Sequence, residues 1–263
     1  MDGSRIILAA HRGDRFTCPE NTMSAFRRSV EFGVDMIETD IRETLDGELV
    51  LIHDRSALRT AGVDKNIDEL TLKEVRELDA GSVFSEKFRG ERIPTVSEFI
   101  EYMQGNDLLI NWELKVYPDE FGDEAAFRVA DKLIDMIEDA GLTSRSMINS
   151  FSDRVLEHVR KKHGDKFPIH GQGIFECKKT HDEAEMSEND LFDWCCLYPS
   201  RAGNCAIDCS ENFKYCKEHG ILPCICIPDV YDDYKRAVEL GCRMFTSNNI
   251  YEAADILKKL GER

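Results

Sequence analysis

Short apolar runs alternate with longer amphipathic stretches along almost the whole chain. The runs predict strands at 5–10, 36–42, 49–53, 108–115, 146–151, 169–175, 206–209, 222–227 and 244–246. Between most of them the apolar positions change period. The stretch 21–32 sets Met23, Phe26 and Val30 on one stripe, and 124–140 sets Ala126, Val129, Leu133, Met136 and Ile137 at helical spacing. Segments 153–163, 212–219, 231–240 and 251–260 follow the same pattern, and a glycine stands near the end of most of these helices.

Strands that alternate with helices imply a mainly parallel sheet. About eight strands in 263 residues favour a closed (β/α)8 barrel over an open doubly wound sheet. No glycine-rich nucleotide-binding turn follows the first strand. The rhythm breaks between 55 and 105, which is polar and helical, with capping-box patterns at Thr71–Glu74 and Thr95–Glu98. The expectation is one domain over 1–263 with a small, mainly helical insertion at about 55–105, its body at 56–92. On a βα loop it would overhang the barrel mouth. A second irregular, acidic stretch, 178–193, resists assignment.

Composition narrows the function. Asp and Glu number 51 against 34 Lys and Arg, a formal charge of −17. Such a field disfavours nucleic acid and anionic membrane surfaces, and an anionic substrate would need local cations. No apolar run approaches the ~18 residues needed to span a bilayer, so no membrane anchor is expected. The opening MDGSRIILAAHRGD is too short in apolar character for a secretory signal. With ten cysteines and no Cys-x-x-Cys, the expectation is a cytoplasmic protein with reduced thiols. Cys195, Cys205, Cys209 and His219 have zinc-ligand chemistry, but their spacing fits no zinc pattern. The oligomeric state is not legible.

Polar residues concentrate at the predicted C-terminal ends of the early strands, where barrels of this class build their sites. His11 and Arg12 end the first strand. Glu38 and Asp40, two apart, face one side of the second. His53 and Asp54 end the next, and Glu113 and Lys115 share a side of the fourth. Three carboxylates together are costly to bury without a cation, and hard oxygen ligands suit Mg2+ or Ca2+. Arg12 and Lys115 provide an anion site beside it, suited to phosphate. Two imidazoles suit general acid and base work near neutrality. The set points to metal-assisted cleavage of a phosphate ester.

The ordered motifs HRG at 11–13, PENT at 19–22, ETDI at 38–41, TLDGELVLIHD at 44–54, RIPTVSEF at 92–99, NWELK at 111–115 and SF at 150–151 resemble the glycerophosphodiester phosphodiesterase family. The resemblance implies a (β/α)8 barrel with an insertion after the second histidine. It implies hydrolysis of small glycerophosphodiesters to glycerol 3-phosphate and an alcohol, within lipid and glycerol metabolism. Glu38, Asp40 and Glu113 would hold one divalent cation, His11 and His53 would be the acid/base pair, and Arg12 and Lys115 would bind phosphate. Glu20 would support the site from the first loop, whereas Asn21 reads as a helix N-cap. Phospholipase D-like cleavage of lysolipids or sphingolipids and a non-catalytic phosphodiester-binding barrel are the alternatives.

The chain departs from the family pattern at PCICIP, 223–228, where an aromatic residue is expected, and at TSNN, 246–249. Trp112, Phe151, Gln172 and Trp194 are candidates for the missing wall, Trp112 the weakest because alternation turns it away. Cys224 and Cys226 share one face of their strand, as interior packing, pocket wall or a soft second metal site.

Overall fold

The computed structural model describes residues 1, 3–174, 179–198, 210–228 and 230–263. Its first strand, β1 (Ile7–His11), is buried at every position. A strand covered on both faces needs a continuous apolar run that turns polar only where the chain leaves the sheet, and ILAAH has that form. The parallel strands that follow are β2 (Met36–Glu43), β4 (Leu109–Leu114), β5 (Ser146–Ser150), β6 (Ile169–Gln172), β7 (Trp194–Leu197), β8 (Leu222–Cys226) and β9 (Met244–Ser247). β3 (Leu49–Leu51) lies between β2 and β4 in the chain. The order β1-β9-β8-β7-β6-β5-β4-β2 is closed by pairing of β1 with β2, giving an eight-stranded parallel barrel among the described residues.

The strand total agrees with expectation, but its membership differs. β3 runs antiparallel to β2, with Ile41 opposite Leu51, and lies outside the barrel. Trp194–Leu197, which the sequence reading did not assign, is a barrel strand. The strand expected at 206–209 lies outside the described residues, as do Phe175 at the end of the sixth predicted strand and Lys178 at the start of the acidic stretch. Among the described residues of that stretch, only Glu188–Leu191 forms a short helix.

Alternation divides the side chains between two cores. Outward-facing Leu8, Ile37, Ile110, Trp112 and Ile148 meet the surrounding helices in the large cluster. Inward-facing Ile7, Ala9, Met36, Met147, Trp194, Cys196, Cys224 and Met244 fill the barrel. Trp112 therefore packs outward, edge-on to Phe99, and donates from Nε1 to Ser146 Oγ at 2.9 Å. Trp194 is fully buried in the barrel interior, so neither tryptophan lines the cavity at the mouth.

Helix α1 (Met23–Phe32) is capped by Thr22, whose side chain accepts from Ala25 N, and ends at Gly33 with φ 81°. The cap is therefore Thr22, and the amide of Asn21 is spent elsewhere. Residues between β3 and β4 form short helices over a separate small core of Val50, Ile52, Ala57, Ile67, Leu70, Val75, Ala80 and Ile93. Both expected capping boxes are present, at Thr71–Glu74 and Thr95–Glu98. The helix Val96–Met103 that follows the second box belongs to the main barrel layer, because Phe99 packs on Phe26 and Trp112.

Candidate active site

Inward-facing residues near the strand ends line a cavity of about 230 Å3 at the C-terminal mouth. His11, Arg12, Glu38, His53, Glu113 and Lys115 line it, so six of the eight expected site residues meet there. Asp40, fully buried, sits directly behind. Register explains the grouping. β1 pairs His11 with Glu38, and β2 pairs Asp40 with Glu113, so the acids come from two successive inward positions of β2 and the position of β4 beside the second. His53 comes from a different source than expected. It lies two residues beyond β3, outside the barrel, and Arg42 Nε donates to its carbonyl at 2.8 Å.

Oxygens of Glu38, Asp40 and Glu113 lie within 4.8 Å of one another. Glu38 Oε2 accepts from the Arg12 backbone N–H at 2.8 Å. Its other oxygen, Oε1, is buried and meets no hydrogen-bond donor among the described residues. Asp40 Oδ2 accepts from Asn21 Nδ2 at 2.8 Å and lies 3.2 Å from Arg12 Nε. Asp40 Oδ1 has Lys115 Nζ at 3.3 Å. Lys115 also pairs with Glu113, and its ammonium lies 5.0 Å from the Phe151 ring centroid.

Electrostatics at this centre are unbalanced. Burial, with Asp40 and Glu113 beside it, pushes Glu38 well above the usual carboxylate value. Burial also raises Glu113, only partly opposed by Lys115. Asp40 goes the other way: burial works against its charge, but Lys115 and Arg12 outweigh it and hold the group ionised. A third positive group would relieve Glu38 and Glu113. The donor set, three carboxylates with an orphaned buried oxygen, fits a hard divalent cation.

Two histidines line the same cavity. His11 Nδ1–H donates to Asn248 Oδ1 at 2.6 Å, which leaves Nε2 as acceptor, 3.9 Å from Glu38 Oε2. Burial, reinforced by the Arg12 charge, lowers its pKa to about 3. His53 Nδ1–H donates to Asp54 Oδ1 at 2.6 Å. Burial lowers this ring also, while Asp40 and Asp54 oppose the shift.

Arg12 has φ 59°, in the left-handed region. A non-glycine residue there costs on the order of 1–3 kcal/mol and persists only where its surroundings hold it. Here the turn aims one N–H at Glu38 and the guanidinium at Asp40 and Glu20. Glu20 faces three guanidiniums: Arg12 at 2.9 Å, Arg15 at 2.8 Å and Arg59 at 2.7 Å. Burial opposes its ionisation, but Arg59 and the other arginines pull its pKa down to about 2. Arg59 also holds Asp54 at 2.6 Å, so the insertion is fastened to both the first loop and the His53 partner.

Asn21 corrects its expected role. Besides binding Asp40, its Oδ1 accepts from Thr39 Oγ1 at 2.9 Å, so it ties the first loop to the acidic strand. Sequence reasoning also missed Arg15, Arg59, Asn149 and Tyr198. Asn149 Nδ2 donates to Glu113 Oε2 at 3.4 Å, and its Oδ1 accepts from Gln172 Nε2 at 2.5 Å. Tyr198, hydrogen-bonded to Gln172, shares the cavity wall with Phe151, Cys226, Ile227 and Thr246. Its ring stands on β7's side of the mouth, next to the place where PCICIP carries none. The only sequence signal for it was its position two residues beyond Cys196, on the inward face.

A closed parallel barrel with three buried carboxylates, two histidines and two cationic side chains at its C-terminal mouth defines a (β/α)8 protein whose candidate site lies where this fold builds them. The chain belongs to the glycerophosphoryl diester phosphodiesterase family, whose pattern matches residues 11–195. A glycerophosphodiester phosphodiesterase from Caldanaerobacter subterraneus is 40% identical over 161 residues, 60% of this chain and 63% of that protein. Glycerophosphodiester phosphodiesterase 1 of Rattus norvegicus is 33% identical over 60% of this chain and 46% of its own length. The alignments thus span less than two thirds of these relatives. Among solved structures, an Oleispira antarctica phosphodiesterase in complex with the product sn-glycerol-3-phosphate superposes with a TM-score of 0.79 at 19% identity, covering 96% of each chain. A glycerophosphodiester phosphodiesterase from Agrobacterium tumefaciens gives 0.73 at 19% identity, over 93% of this chain and 97% of that one. At that identity the structures speak to the fold.

Proposed function

We propose that this protein hydrolyses glycerophosphodiesters to glycerol 3-phosphate and an alcohol with one divalent cation, Mg2+ or Ca2+, held by Glu38, Asp40 and Glu113. The observation that carries the reading is the convergence of those three buried carboxylates, one oxygen orphaned, on a cavity shared with His11, His53, Arg12 and Lys115. The whole chain acts as one unit in a cytoplasmic setting, with the insertion, its body at 56–92, overhanging the mouth. When bound, the cation withdraws charge from the phosphoryl oxygens.

The chain's own residues do the rest. Arg12 and Lys115 orient the phosphate and meet the charge that gathers on its oxygens. His11, kept neutral by burial and fixed by Asn248, takes the proton of the attacking hydroxyl at Nε2. His53, with Asp54 behind Nδ1, gives a proton from Nε2 to the leaving alcohol. Glu20 holds Arg12 in place. The attacker is water or the glycerol 2-hydroxyl.

The test uses chelator-treated protein with glycerophosphocholine, glycerophosphoethanolamine and lysophosphatidylcholine. Glycerol 3-phosphate is expected from the first two only after Mg2+ or Ca2+ is restored. Cleavage of lysophosphatidylcholine alone would move the assignment to a lysolipid-cleaving enzyme. No turnover under any metal condition would leave a binding barrel.

A further inference from the structure

Beneath the acidic layer the barrel interior holds a second cluster of ligand-type side chains that the proposed hydrolysis does not use. His170, Cys196 and Cys224 are all buried, and their nitrogen and sulfur atoms lie within 4.8 Å of one another. They come from three adjacent strands. Register pairs Cys196 with Cys224, and His170 stands two residues before Gln172, the partner of Cys196. Alternation turns all three inward. Cys226, two residues after Cys224, faces the same side and lies against Cys196.

We propose that His170, Cys196 and Cys224 form a binding site for a thiol-seeking d10 cation of the Zn2+ type, separate from the carboxylate centre. Zn–S and Zn–N bonds of about 2.3 and 2.0 Å place ligand atoms of a tetrahedral site a little under 4 Å apart. The observed spacing meets that requirement with small adjustment, and Cys224 Sγ already sits 3.0 Å from His170 Nε2. Two thiolates and a neutral imidazole cancel the charge of a divalent ion, which suits a site without solvent. Loading breaks two S–H bonds, forms two S–metal bonds and releases two protons to water. No change of oxidation state is needed.

An independent observation supports a ligand rather than packing. Asn111 is 1% exposed, its Oδ1 has no hydrogen-bond partner among the described residues, and its Nδ2 lies 3.1 Å from His170 Nδ1. A half-turn of the amide, which exchanges nearly isosteric atoms, lets that oxygen accept from Nδ1–H. The oxygen then has its partner, Nδ2 takes the position it left, and the lone pair of His170 moves to Nε2, facing the sulfurs. Carboxamides and carboxylates behind metal-binding histidines commonly serve this purpose. An entry route exists as well, because His170, Cys196 and Cys226 line the floor of the mouth cavity.

The experiment strips the full chain with chelator under a non-binding reductant, then titrates Co2+ and displaces it with Zn2+. Thiolate-to-cobalt charge-transfer absorption is expected, saturating at one ion per chain. Cys224→Ser and His170→Gln should each weaken binding by more than the roughly tenfold to hundredfold lost with an outer partner of a ligand, whereas Glu113→Gln should leave the band intact. X-ray absorption of the zinc-loaded wild-type chain should show sulfur neighbours at about 2.3 Å, a readout that survives if a variant fails to fold. An all-oxygen shell, absence of the band, or a band unchanged in both Cys224→Ser and Cys196→Ser would overturn the proposal. Because Glu113→Gln separates the two centres, failure here leaves the hydrolysis reading untouched, and the reverse also holds.

Discussion

His11 and His53 face one cavity with opposite equipment. His11 is sealed, hydrogen-bonded to a neutral amide and next to a cation, which favours the uncharged base. His53 is also lowered by burial, but it has a carboxylate at Nδ1 and about a third of its side chain open to solvent, which suits it to the proton-donor role better than His11. Removing either should lower turnover of a choline or ethanolamine ester by about 10²–10⁴. With a nitrophenyl ester, whose leaving group needs no proton, His53→Ala should recover most of its rate and His11→Ala should not. Equal losses on both esters would refute the division of roles. At this scale the carboxylates were legible because Glu-x-Asp and Glu-x-Lys place their groups by local alternation. Asn248 was not assignable to His11, since the two are 237 positions apart in the chain. Arg59 likewise reaches Glu20 across 39 positions from an insertion whose path no periodicity records.

Among the elements, the helix Val96–Met103 shows how packing outside the barrel fixes the site inside it. Phe99 lies edge-on to Trp112, whose neighbour Glu113 is a proposed ligand, and its ring centroid is 4.5 Å from that of Phe26 on α1. Phe99→Ala should cost about 3–5 kcal/mol, read as a lowered urea midpoint with unchanged slope. A loss under 1 kcal/mol would show that the barrel layer closes over the gap. The capping boxes announced this helix in the sequence because their pattern is confined to four residues. The strands were harder to assign. LVL and WCCL are both short, continuous apolar runs, and such runs say nothing about which sheet edge they join. Only tertiary pairing makes the first a hairpin partner of β2 and the second a barrel strand. The result matters for His53, which is carried by the hairpin and held by Arg42 and Asp54 rather than by the barrel wall.

For the whole molecule, the buried imidazoles couple folding to pH. Burial lowers His170 from 6.5 to about 3. The unfolded chain then binds a proton that the folded chain refuses, so stability falls as pH drops from about 6.5 toward 3. The slope is up to about 1.4 kcal/mol per pH unit for each such histidine. His11, also lowered to about 3, acts in the same window. In chelator-treated protein, His170→Gln should flatten the fall of the urea midpoint between pH 6 and pH 4, and an unchanged fall would exclude His170 from it. The closed barrel class was readable from strand and helix rhythm because burial on both faces writes itself into each run. Which strands make up its wall was not, since that depends on pairings such as those of β1 with both β2 and β9. One asymmetry of the finished barrel has a wider consequence. The acids, cations and imidazoles of the proposed chemistry all fall between His11 and Lys115, whereas residues 146–247 contribute amides, rings, thiols and hydroxyls to the cavity rim. On the proposed reading, bond cleavage and choice of alcohol therefore sit on separate stretches of chain, so substitutions among the later rim residues should change which alcohol is released while the reaction stays the same.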